Sequence, residues 1–107
     1  MINYATIIAN QLNVNQRQVE KTIELLESGA TVPFIARYRK EATGGLNEVQ
    51  IAAIRDPLLR LKELDKRRDA VLQSIEEQGK LTPELRKAIE AAATMTELED
   101  LYLPYRP

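Results

Sequence analysis

The sequence predicts an all-α fold, and three observations carry that reading. Apolar residues recur at helical spacing along most of the chain, and no useful length alternates with the period of two that a half-buried strand shows. Aromatics are only 5% of residues, so the core falls to Leu, Ile, Val and Ala, which suits helix on helix better than a β-sandwich. Asn, Thr, Pro and Gly stand where helices would begin and end. At 107 residues the chain is the size of one domain with one modest core, and residues 1–107 are read as one multi-helix domain.

Tyr4, Ile7, Ile8 and Leu12 open a short amphipathic helix. Asn13 and Asn15 suit a turn, and Asn15 is placed to cap a second helix with Gln18 at the capping-box position. That helix carries Val19, Ile23 and Leu26 on one face and stops at Gly29. A third helix starts near Pro33, whose fixed φ and missing N–H suit a first turn; it carries Phe34, Ile35 and Tyr38. Ala42-Thr43-Gly44-Gly45 follows as a flexible turn. Asn47 caps a long helix that reaches Gln78 and ends at Gly79, with Ile54, Leu58, Leu61, Leu64, Val71, Leu72 and Ile75 as its buried stripe. Pro57 removes one main-chain hydrogen bond inside it and is expected to kink the helix or split it in two. Thr82-Pro83 begins a further helix through Ile89 to about Ala92. Thr96 and Glu99 read as a capping box for a short last helix, which the residues from Leu103 to Pro107 leave extended. The Pro- and Tyr-rich end reads as a connector, so the chain is expected to be a fragment of a longer protein.

Composition excludes several kinds of chemistry. The chain has neither Cys nor His, so it holds no disulfide, no imidazole base and no zinc site of the usual kinds. No Gly-rich phosphate loop occurs, and most carboxylates fall on polar helix faces. Neither a cofactor nor a metal is expected, and catalysis by this segment is not expected. No apolar run is long enough to span a bilayer, and no signal-peptide pattern opens the chain; the expected location is the cytoplasm, with no membrane partner. A net charge of −1 provides no global attraction to a polyanion, so any nucleic-acid contact requires a local patch.

Three local features could supply one. Ala9, Asn13 and Val19 fit a helix-turn-helix-like corner: a small residue where helices cross, a turn residue tolerant of φ > 0, and an apolar anchor. Gln16, Arg17, Gln18 and Lys21 would then be exposed on the second helix, with side chains suited to base edges and phosphate. The same pattern fits a plain helical corner. Arg37, Tyr38, Arg39 and Lys40 place three cations and an aromatic beside the Gly44-Gly45 turn, able to grip phosphates and stack on a base. They equally fit ion pairs to a neighbouring helix with Tyr38 packed inward, and basic side chains near a helix C-terminus suit its dipole. Lys62, Lys66, Arg67 and Arg68 are interleaved with Glu63, Asp65 and Asp69, with Glu63 and Arg67 at i,i+4, which favours a solvated face or an interdomain contact.

Residues 25–46 (LLESGATVPFIARYRKEATGGL) closely resemble the N-terminal signature of the Tex family of transcription accessory proteins. Residues 74–82, 96–101 and 102–107 resemble the same family in the same order, so the resemblance covers essentially the whole chain. It implies a bacterial, cytoplasmic, multidomain factor in which an N-terminal helical region precedes an RNase-H-like domain, helix-hairpin-helix elements and a C-terminal S1 domain of OB type. Such an S1 domain is the part best suited to single-stranded nucleic acid. The expected function is a non-catalytic helical domain of a factor that binds RNA or DNA, mainly through domains outside this chain. The alternative is a protein-interaction scaffold that docks downstream domains or the transcription machinery without touching nucleic acid.

Overall fold

A computed structural model describes residues 4–107. Among them the regular structure is entirely helical: α1 (Tyr4–Leu12), α2 (Gln16–Glu27), α3 (Val32–Tyr38), α4 (Lys40–Thr43), α5 (Glu48–Glu77), α6 (Pro83–Ala91) and α7 (Met95–Tyr102), then a 3-10 turn over Leu103–Tyr105. Where one core is expected, the buried side chains form two clusters, and the chain divides into two compact units, the second being Lys62–Pro107.

In the first unit, α1 and α2 meet at the predicted corner. Ala9 is buried, Asn13 takes φ 55°, and the Asn15 side chain accepts the Arg17 amide at 2.8 Å. Val19 is fully buried among Ile8, Ile35, Ile51 and Ile54, each such side chain contributing roughly 1.5–3 kcal/mol by leaving water. α2 ends as predicted: Gly29 takes φ 96° and donates to the Leu26 carbonyl while Ala30 donates to Leu25, the paired bonds of a Schellman stop. Thr31 caps α3 by accepting the Phe34 amide, with Pro33 in the first turn.

Two expectations about caps and turns fail in this unit. Gln18 does not close a capping box; its amide donates to the Thr43 carbonyl at 3.0 Å. Ala42 and Thr43 are not a loose turn, because they belong to α4, and Thr43 is fully buried with its hydroxyl accepting the Leu46 amide. A buried polar side chain of this kind persists because both its hydroxyl and its carbonyl have partners.

α5 runs unbroken from Glu48 to Glu77 across Pro57, so the expected split does not occur. The ring is buried beside Leu58, and burial on both sides of it outweighs the one lost hydrogen bond. Asn47 and Gln50 exchange side-chain-to-amide bonds of 2.8 and 3.0 Å at its start, a reciprocal cap. Gly79 and Lys80 donate to Glu76 and Ile75 at its end, the same stop as in α2.

The second unit packs Leu64, Val71 and Ile75 of α5 against Ile89, Ala92, Leu98 and Tyr102. Thr82 caps α6 as predicted. The capping of α7 sits two residues earlier than expected. Thr94 accepts the Glu97 amide, and Glu97 accepts the Ala93 amide, leaving Glu99 free of capping duty. The tail also departs from the extended form expected, turning through Leu103–Tyr105 so that Gln78 can donate to the Tyr105 carbonyl at 2.8 Å.

Candidate nucleic-acid interface

The candidates from two separate stretches of sequence converge. Arg17 and Lys21 on α2, and Arg39 between α3 and α4, line one groove in the first unit together with Glu24, Glu41 and Ala42. The approach of α4 to α2 that makes this groove is fixed by the Gln18–Thr43 bond. It is tight at Gly44, where φ is 72° and an added Cβ would lie 2.5 Å from the Gln18 amide nitrogen. Glycine suits both, since an L-residue at this φ is strained and its Cβ would push the end of the Gln18 side chain aside.

The groove's charge is mixed, and composition alone did not reveal that. Lys21 pairs with Glu24 at 3.5 Å and Arg39 with Glu41 at 2.8 Å, both at the surface. The Arg39 hydrogen bond, helped by a main-chain one, holds the Glu41 carboxyl below its ordinary range. Exposed pairs of this kind are worth little and exchange readily with a competing anion. Arg17 also borders a second hollow beside Glu41 and Gly44 and has no ion-pair partner among the described residues. Gln16 is exposed and its amide donates to Glu20 at 3.2 Å. Gln18 is turned to α4 and withdrawn from the face expected of it.

α3 departs most from its sequence reading. Its buried face is Val32, Ile35 and Ala36, so Phe34 and Tyr38 point outward, 46% and 60% exposed, and Tyr38 does not pack inward. Had Val32 been taken as the first core position after the Thr31 cap, the spacing to Ile35 and Ala36 would have placed both aromatics outside. The two rings lie 5.3 Å apart between centroids, and the Arg37 guanidinium sits 5.4 Å from the Tyr38 ring centre. Lys40 is exposed and without an ion-pair partner among the described residues.

The third candidate group is mostly consumed by structure. Arg67 does not pair with Glu63; its guanidinium makes a bidentate contact with Glu99, which also takes Arg106 at 3.2 Å, and lies over the Tyr102 ring. That contact raises the Arg67 pKa and, with Arg106 adding to it, lowers that of Glu99. Arg68 is buried: it donates to the Ile89 carbonyl at 3.0 Å, to the Ala92 carbonyl and to Asp65, tying off the end of α6. Lys66 is exposed and Lys62 half-buried. Among the described residues no helix is long and apolar enough to cross a membrane.

The Tex-like protein N-terminal domain family matches residues 2–76. The chain is 55% identical over 106 residues to the transcriptional accessory protein Tex of Neisseria gonorrhoeae, covering 99% of this chain and 14% of that protein. It is 53% identical over 105 residues to protein YhgF of Escherichia coli, covering 98% and 14% respectively. It is 29% identical over 100 residues to S1 RNA-binding domain-containing protein 1 of Homo sapiens, covering 94% and 10%. The chain therefore spans 14% of the length of these bacterial relatives.

Proposed function

The chain belongs to the Tex family, and on that premise we propose that it is the non-catalytic N-terminal helical domain of a cytoplasmic transcription accessory factor, adding a basic contact surface to nucleic-acid binding by the longer protein. The observation that carries the reading is the meeting of Arg17, Lys21 and Arg39 along one groove, with Arg37 and Lys40 open on the neighbouring residues. Phosphate neutralised by such side chains releases counterions, so binding should weaken steeply with salt. The relatives' names, one a transcriptional accessory protein and another an S1 RNA-binding domain-containing protein, support nucleic acid as the partner class. Most of the affinity belongs to segments of the longer protein outside this chain.

Fluorescence anisotropy of labelled RNA and DNA oligonucleotides against this chain, at low and moderate salt, tests the reading. Salt-sensitive binding weakened by Arg37→Ala/Arg39→Ala and by Arg17→Ala/Lys21→Ala, with circular dichroism unchanged, is the expected result. No binding at low salt would leave the second reading, a scaffold that docks downstream domains or the transcription machinery. That reading is favoured by the second unit, where Leu103 (63% exposed) and Met95 (40%) leave apolar surface open.

A further inference from the structure

Phe34 has no structural duty on the outer face of α3. Its ring is nearly half exposed, it is not part of the core cluster, and its amide alone takes part in the Thr31 cap. With Arg37 and Tyr38 it occupies positions i, i+3 and i+4, one face of the helix. A shallow hollow beside it is lined by Ser28, Gly29, Ala30 and Thr31. From Thr31 to Lys40 the chain carries three cations and no acid. Within a protein of net charge −1, this is where an aromatic pair and a local excess of positive charge coincide, Glu41 pairing with Arg39 only.

We propose that Phe34 and Tyr38 form a stacking platform for unpaired bases, so that the surface reads single-stranded nucleic acid in preference to duplex. The inference rests on the nucleic-acid reading above and names the form of ligand that surface takes. In a duplex the base faces are covered by their neighbours and an exposed ring has nothing to stack on; in a single strand every base offers a face. Arg37, with its guanidinium 5.4 Å from the Tyr38 ring centre, supplies a cation beside the platform that can meet the phosphate of a stacked base. Lys40 and Arg39 continue the positive charge toward the α2–α4 groove. A protein segment could also cover two aromatics. The local excess of cations, with Glu41 the one acid paired among them, favours a polyanion over an apolar peptide face.

The test compares the 107-residue chain with Phe34→Leu/Tyr38→Leu and Arg37→Ala/Arg39→Ala, using labelled oligo(dT), oligo(U) and a blunt duplex of the same length, over a range of salt. Both aromatics are exposed, so leucine there is expected to leave the fold intact, which circular dichroism checks. The expected result is that the aromatic variant loses about tenfold in single-strand affinity, keeps the salt slope, and binds duplex as the parent does. The arginine variant should instead lose affinity for both forms and show a shallower slope. An aromatic variant that binds single strands like the parent, while the arginine variant is weakened, overturns the stacking platform, leaves the basic surface standing and assigns the pair to a protein contact. Equal weakening toward single strand and duplex also overturns it. A parent chain that binds nothing at low salt overturns both the platform and the reading on which it rests.

Discussion

The two units treat their arginines in opposite ways. In the second, Arg67 and Arg68 are turned onto carboxylates and helix-end carbonyls, and Arg68 is almost out of solvent. In the first, Arg17 and Arg37 have no acid partner among the described residues, and Arg39 and Arg55 each reach only a neighbouring exposed carboxylate. The local sequences look alike, each a run of cations on or beside a helix. What separates them is whether an acceptor lies within reach of the guanidinium. α6 ends at Ala91, and Arg68 donates to the carbonyls of Ile89 and of its cap Ala92; α3 gives way directly to α4, whose own cap is a glycine. A cluster of positive charge thus marks a surface for a ligand only when the fold has no use for it.

Arg68→Ala should break this contrast most severely. It removes a buried guanidinium that bridges α5 to the carbonyls of Ile89 and Ala92 and leaves a cavity, and a cost of about 3 kcal/mol is expected in urea denaturation. Amide exchange should accelerate first in α6 and α7. Arg37→Ala, by contrast, should change stability by less than about 0.5 kcal/mol. Gly44→Ala comes next. It asks an L-residue to hold φ 72° and drives a methyl group into the Gln18 amide, for an expected loss of about 2 kcal/mol, whereas Gly45→Ala meets open space and pays only the conformational part. Thr94→Ala should cost about 1 kcal/mol and Thr96→Ala a few tenths, which a pair of thermal melts resolves.

The smallest effect is one of pH. The Glu99 carboxyl is held below its ordinary value, first by the Arg67 hydrogen bond and also by Arg106, so its contribution is fully present above the unfolded value and disappears as pH falls through the lowered one. Glu99→Gln should flatten that acid limb slightly, which urea denaturation across acidic pH checks.

Helix type and most helix ends were legible because capping and stop signals are local, whereas the short α4 was not. Asn15, Thr82, Gly29 and Gly79 each act on main chain within a few residues of themselves. The failures share a different cause. The sequence holds two overlapping T-x-x-E frames, Thr94 to Glu97 and Thr96 to Glu99, and the choice falls to Arg67, which engages Glu99 from α5. Gln18 suits a capping box until the Thr43 carbonyl, far along the chain, presents itself. The site was legible as residue types: Arg17, Lys21 and Arg39 could be named, but their meeting, and the acids Glu24 and Glu41 between them, depend on how α4 lies on α2. Phe34 was misplaced because an apolar aromatic was assumed to seek the core, although Val32, Ile35 and Ala36 already fill that face.

The corner between α4 and α5 bears on how such a chain can be re-engineered. Gly44-Gly45 is the most inviting splice point by composition, a glycine pair between two helices. It is a closed joint, since Gln18 grips the carbonyl just before it and Leu46, 4% exposed, anchors the chain just after. A peptide inserted there would have to pull out both fastenings. Gly79 has open space around it and a solvated lysine following, so a tag, a fluorophore loop or a protease site belongs there instead.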